Sequence, residues 1–77
     1  MIKHKILIVD DDKDLLLALK VRLTSRGYGV LSATDAATAI HMATLYRPDL
    51  ILLDLGLPDS NGFVVMDFIK DLLPLWM

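Results

Sequence analysis

All ten acidic residues of the chain are aspartates, and none is glutamate. Aspartate is the poorer helix former of the two and concentrates at caps, turns and metal-binding loops, so each carboxylate is worth locating. Three are consecutive: Asp10, Asp11 and Asp12 directly follow the apolar run Ile6-Leu7-Ile8-Val9. A further one, Asp54, closes the run Leu50-Ile51-Leu52-Leu53. Were the two runs neighbouring strands, Asp10, Asp11 and Asp54 would converge, although 44 and 43 residues separate the first two from the third. Like charges gathered in one place need a cation or a proton to offset their repulsion. A hard divalent ion with oxygen ligands is the natural partner, and Mg²⁺ is the usual one where phosphate takes part. A single Asp in such a place reads as a cap or loop residue. A triple Asp after one strand with an isolated Asp ending another is a pattern that caps alone do not explain.

The elements that must position these carboxylates follow from periodicity. Residues 5–9 form a short run of β-branched residues and leucine without alternation, as expected of a strand buried on both faces of a parallel sheet. From 13 to 26 the period becomes helical, with Leu15, Leu19 and Leu23 as the expected buried stripe, Asp12 or its neighbour as N-cap, and Gly27 as terminator. Leu17 and Val21, one turn apart, point away from that stripe. Residues 29–33 read as a second strand. Asp35 can cap a helix from 36 to about 46 whose expected stripe is Ala36, Ala39, Ile40, Ala43 and Tyr46, and Pro48 closes the unit. Residues 50–53 are the most apolar strand; a loop with Gly56, Pro58 and Asn61-Gly62 leads to a helix from 62 to about 72, stopped by Pro74. The order β-α-β-α-β-α implies an α/β fold, a parallel sheet with right-handed crossovers and helices on its faces. Ligands of such sheets sit beyond the carboxyl ends of the strands, where Asp10, Asp11 and Asp54 lie.

Composition narrows the function classes. At 77 residues and 8.6 kDa the chain holds one small domain. A domain of this size buries only about 60% of the surface that its unfolded chain exposes. With no cysteine, neither a disulfide nor a thiolate metal site can staple it, which leaves a metal or a partner subunit. Hydrophobic residues make up 55% of the chain and the mean hydropathy is +0.52, so part of the surface is expected to meet another chain. A net charge of -2 offers no basic face, and nucleic acid is not expected as a direct ligand. The apolar run before Asp10 is too short for a signal peptide and no run approaches the ~20 residues of a membrane span, so a cytoplasmic location is expected. His4 and His41 read as solvated surface residues. Gly27-Tyr28-Gly29 follows a helix and lacks a third glycine, which disfavours a dinucleotide site. Asp10-x-Asp12 suggests an aspartyl phosphatase, but Asp14 stands where that motif needs Thr or Val.

The stretches Ile6-Leu7-Ile8-Val9-Asp10-Asp11-Asp12 and Pro48-Asp49-Leu50-Ile51-Leu52-Leu53-Asp54-Leu55-Gly56-Leu57-Pro58-Asp59-Ser60-Asn61-Gly62 resemble the receiver domain of two-component response regulators. The acidic pair after the first strand, the Asp ending the third, and the Leu-Pro and Gly beyond it all coincide, in order and spacing, over the whole chain. The resemblance implies a flavodoxin-like three-layer fold with sheet order 2-1-3, and a signalling module rather than an enzyme. It further implies that Asp54 is the phosphoacceptor, taking a phosphoryl group from a sensor histidine kinase. Asp11 would then bind Mg²⁺ directly, Asp10 mainly through water, and the Gly56 backbone carbonyl would complete the protein ligands with Asp54. Receivers continue for two more strands and helices, which carry a Ser or Thr and a Lys that contact the phosphoryl group. Residues 1–77 thus read as a partial receiver, in which Lys13 is the lysine that starts near the site. The alternative reading is a truncated receiver acting as an interaction or dimerisation module without efficient phosphotransfer. A homodimer is expected either way, through the third-strand edge or through the first helix and the apolar end around Trp76.

Overall fold

A computed structural model describes residues 4–54; the expected helix over 62–72, the Gly56 and Pro58 loop and the apolar end at 72–77 lie outside the described residues. The described elements are β1 (Lys5–Val9), α1 (Lys13–Ser25), β2 (Gly29–Ala33), α2 (Ala36–Tyr46) and β3 (Leu50–Leu53). All pairing is parallel and the sheet order is β2-β1-β3. β1 is therefore central, and its residues Ile6, Leu7, Ile8 and Val9 are all buried, which accounts for a strand that is apolar on both faces. The first crossover runs from β1 out to β2 and the second runs back from β2 past β1 to β3, so crossovers of one hand place their helices on opposite faces of the sheet. The cores agree: α1 packs through Leu16 on Ile6 and Ile8, and α2 packs through Ala36, Ala39 and Ala43 on Leu7, Val9 and Ala33. This is a three-layer sandwich with separate cores above and below the sheet.

Helix α1 begins where Asp12 Oδ1 accepts from the N–H groups of Asp14 (3.0 Å) and Leu15 (3.1 Å). It ends in a Schellman arrangement, with the Gly27 N–H donating to the Thr24 carbonyl and the Tyr28 N–H to that of Leu23. Gly27 takes φ of 92° there, a value that a side chain resists. The buried stripe departs from the expected one. Leu16, not Leu15, is the buried residue, with half-buried Leu19 and Leu23 beside it, and Leu15 is 42% exposed. At about 100° per residue, positions 16, 19 and 23 span only about 60°, whereas the four-residue steps 15, 19 and 23 drift across the face and leave Leu15 at its margin. Leu17 and Val21 point outward, each 63% exposed.

Helix α2 is capped by Asp35, whose Oδ1 accepts from the Thr38 N–H at 2.7 Å. Ala36, Ala39 and Ala43 are buried as expected and Ile40 packs beside them, but Tyr46 is 42% exposed and Met42 takes a place against the core instead. Tyr46 sits about 80° from Ala36 around the helix, at the edge of the stripe and in its last turn, where its phenol stays in water. The chain leaves α2 through Arg47 in the left-handed region, φ 46°, and a buried Pro48. β3 is the outermost strand among the described residues. Its Ile51 and Leu53 pack on the α2 side, while Leu50 and Leu52 on the α1 side remain 49% and 41% exposed.

Candidate functional site

The register of the sheet builds the site. Val9 pairs with Leu53, so β1 and β3 end level and the next residues, Asp10 and Asp54, emerge together. Backbone bonds hold both places: the Asp10 N–H donates to the Ala33 carbonyl at 3.1 Å, and the Asp54 N–H donates to that of Val9 at 2.9 Å. Asp10 and Asp54 are half-buried, and Asp11 is exposed. One carboxylate oxygen from each of Asp10, Asp11 and Asp54 can be chosen so that all three lie within 4.8 Å of one another. The convergence expected of these residues is thus present in the structure. Gly56, the fourth expected ligand, lies outside the described residues.

The triple Asp divides its labour. Asp10 Oδ1 accepts from the Asp12 N–H at 2.9 Å, which turns the backbone sharply after β1 and leaves Asp10 another oxygen. Asp12 is committed to the α1 cap, as its place ahead of the helix suggests. Asp10 and Asp54 also line a cleft of about 420 Å³ between α1 and the α1-side face of β3, floored by Ile8, Leu16, Leu19 and Leu52. The apolar floor lowers the dielectric beneath the carboxylates, so charge placed among them interacts more strongly than in open water. Lys13 lines a smaller groove toward β2, with Lys20, Ser32 and Thr34.

Two residues at the opposite end of the strands escaped the sequence reading. The Lys5 N–H donates to Asp49 Oδ2 and the Asp49 N–H donates to the Lys5 carbonyl, both at 2.8 Å. Lys5 Nζ also donates to the Tyr46 carbonyl at 2.7 Å, satisfying the C-terminus of α2. His4 is exposed, as expected, and its Nδ1 stands 3.6 Å from Asp49 Oδ2. The Lys5 N–H bond, helped by His4, holds the Asp49 carboxyl below its ordinary value of 3.8. Asp35 is lowered likewise, by the bonds from the Thr38 N–H and then the Thr38 hydroxyl. The one sequence signal for Asp49 was a carboxylate set between Pro48 and an apolar strand.

The sequence profile of the response regulator receiver domain matches residues 6–74. The transcriptional regulatory protein KdpE of Mycobacterium tuberculosis is 44% identical over 61 residues, which cover 79% of this chain and 27% of that protein. The chain thus spans about a quarter of that relative's length. A CheY-like receiver domain from Methanospirillum hungatei superposes with a TM-score of 0.92 at 33% identity, covering 95% of this chain and 58% of that one. A response regulator from Burkholderia pseudomallei, solved with a phosphorylated aspartic acid and a calcium ion, superposes with a TM-score of 0.88 at 28% identity, covering 94% of this chain and 42% of that one. The β2-β1-β3 order is that of the flavodoxin-like receiver fold. With that sheet order, the paired motifs and a profile match across most of its length, the chain belongs to the response regulator receiver family.

Proposed function

We propose that this chain is a phosphoacceptor module of a cytoplasmic phosphorelay, taking a phosphoryl group on Asp54 from a sensor histidine kinase in an Mg²⁺-dependent reaction. The observation that carries the proposal is the approach of the Asp10, Asp11 and Asp54 oxygens to within 4.8 Å. The donor set is all oxygen, as a hard cation requires. Oxygens bound directly to one Mg²⁺ stand at most about 4.2 Å apart, so the wider limit leaves room for one carboxylate to act through water. Asp10 suits that role, since its Oδ1 already accepts from the Asp12 N–H. Asp11 and Asp54 would then hold the ion directly, with the Gly56 carbonyl. The bound ion would supply positive charge that offsets repulsion between an acidic pocket and an incoming phosphoryl group.

In the transfer, an Asp54 carboxylate oxygen attacks phosphorus. A P–O bond forms, the P–N bond to the kinase histidine breaks, and the departing imidazole nitrogen keeps the electron pair. The protein's part is positioning and electrostatics, which is most of what phosphoryl transfer requires. The chain itself is a signalling partner consumed and regenerated in the relay, not an enzyme turning over a free substrate.

A second reading is favoured by the exposed Leu50 and Leu52 on β3: a module that pairs with a second copy of itself, without efficient phosphotransfer. One sample tests both. Incubated with Mg²⁺ and acetyl phosphate, the chain should gain one phosphoryl mass by intact-mass spectrometry, and Asp54→Asn should gain none. No Asp54-dependent gain overturns the first reading. A monomer by light scattering at micromolar concentration overturns the second.

A further inference from the structure

The β1–β3 pair is what sets Asp54 beside Asp10, yet the side chains of β3 specify its register poorly. A one-residue slip of a strand exchanges its two faces, and register is strongly specified only where the faces differ. In β3 the burial of the faces differs but their residue types do not: Leu50 and Leu52 face one side, Ile51 and Leu53 the other, and a slip would trade one apolar pair for another. The same slip would move Asp54 about 3.3 Å along the strand and turn it to the opposite face. A parallel pair also lacks the tight hairpin turn that fixes register between antiparallel strands. Something polar has to pin β3.

The pin is at the amino end. Lys5 and Asp49 exchange two bonds of 2.8 Å, backbone to carboxylate in one direction and backbone to backbone in the other. Only one position of Asp49 along β1 satisfies both. From there the pairs run Ile6 with Leu50, Leu7 with Ile51, Ile8 with Leu52 and Val9 with Leu53, to the Asp54 N–H on the Val9 carbonyl at 2.9 Å. We propose that Asp49 is a positioning residue for the Asp54 site, its carboxylate acting as the acceptor that locks β3 in the one register that brings Asp54 to Asp10 and Asp11. The inference rests on the proposed role of Asp54 for its consequence in phosphotransfer, but not for the register itself.

The test therefore reads the register directly, by amide hydrogen exchange on the full chain, and Mg²⁺ affinity beside it. In Asp49→Ala the Asp54 amide should exchange at least about fivefold faster relative to the Asp10 amide, the ratio that corresponds to one intramolecular hydrogen bond. Asp10 bonds to β2, so it reports the part of the sheet that Asp49 does not touch. Equal loss of protection at both amides would make Asp49 a general stabiliser and overturn the proposal. If Asp49→Ala fails to fold, Asp49→Asn and Asp49→Glu decide. Asn keeps an acceptor oxygen in place without charge, whereas Glu keeps the charge and displaces the oxygen. The Asn variant should match the parent in Asp54 protection and Mg²⁺ affinity, and Glu should fall below it in both; any other order of protection overturns the proposal. Should the parent bind no Mg²⁺ and accept no phosphoryl group, the reading of Asp54 fails while the exchange comparison still decides the role of Asp49.

Discussion

The two ends of the β1–β3 pair use aspartate in opposite ways. At the amino end, Asp49 faces donors: the Lys5 N–H at 2.8 Å and the His4 imidazole at 3.6 Å. Its carboxyl is held below 3.8, so the ionised form is the one that the fold selects. At the carboxyl end, Asp10, Asp11 and Asp54 approach one another within 4.8 Å. Backbone register, not mutual attraction, brings them there. The contrast separates a carboxylate set among donors of the neighbouring strand from carboxylates set among one another. The first serves the pairing of the strands, and the second is the set to which we assign the chemistry.

The largest effect that would sharpen this contrast lies within the acidic triplet. Asp11→Asn should weaken Mg²⁺ binding by about tenfold or more, since even partners outside a coordination shell are worth about 10–100-fold. Asp12→Asn should change it little, because Asp12 Oδ1 serves the Asp14 and Leu15 amides and Asn caps a helix about as well. Asp12→Ala should instead cost about 1 kcal/mol of folding stability. Equal losses of affinity for Asp11→Asn and Asp12→Asn in a metal titration would erase the division between ligand and cap.

A smaller effect is expected at the other end, in acid. Asp49 has a lowered carboxyl value in the folded chain, so the unfolded chain binds the proton more readily. Its contribution to stability is complete above its ordinary value of 3.8 and is lost as pH falls through the lower folded value. Asp35 behaves in the same sense at the α2 cap. Urea midpoints measured at pH about 6 and about 3 should therefore fall less in Asp49→Asn than in the parent. An identical fall would mean that the exposed Lys5 and His4 contacts contribute nothing measurable, as surface pairs sometimes do.

Local chemistry made much of this molecule legible beforehand. The alternation of elements, the caps at Asp12 and Asp35, the stop at Gly27 and the convergence of Asp10, Asp11 and Asp54 each depend on residues near in sequence or on the order of the elements. The inward faces of the helices are less legible. Leu15 and Tyr46 lie at the margins of their stripes, where a few tens of degrees of rotation decide burial and only the packed sheet sets that rotation. The Lys5–Asp49 exchange was hidden for a different reason. Its two residues stand 44 apart, and neither has a periodicity that announces the other. The sequence shows that a carboxylate precedes β3, but its partner is defined only once the strands are side by side.

The central place of β1 also sets an order of assembly. Joining β1 to β2 closes a loop of 24 residues from Val9 to Ala33, whereas joining β3 closes one of 44 from Val9 to Leu53. The longer closure costs about 0.5 kcal/mol more in chain entropy, and β3 brings less buried surface to repay it. Among the described strands β3 is expected to dock late, after the rate-limiting barrier, so the three carboxylates meet only after β1 and β2 have joined. Their repulsion then accelerates unfolding without slowing folding. In Mg²⁺-free kinetics, Asp54→Asn should slow the unfolding limb of the chevron and leave the refolding limb in place; faster refolding would put β3 in the nucleus. A protein assembled in this sequence brings Asp54 to Asp10 and Asp11 only once β1 and β2 are already joined to receive it.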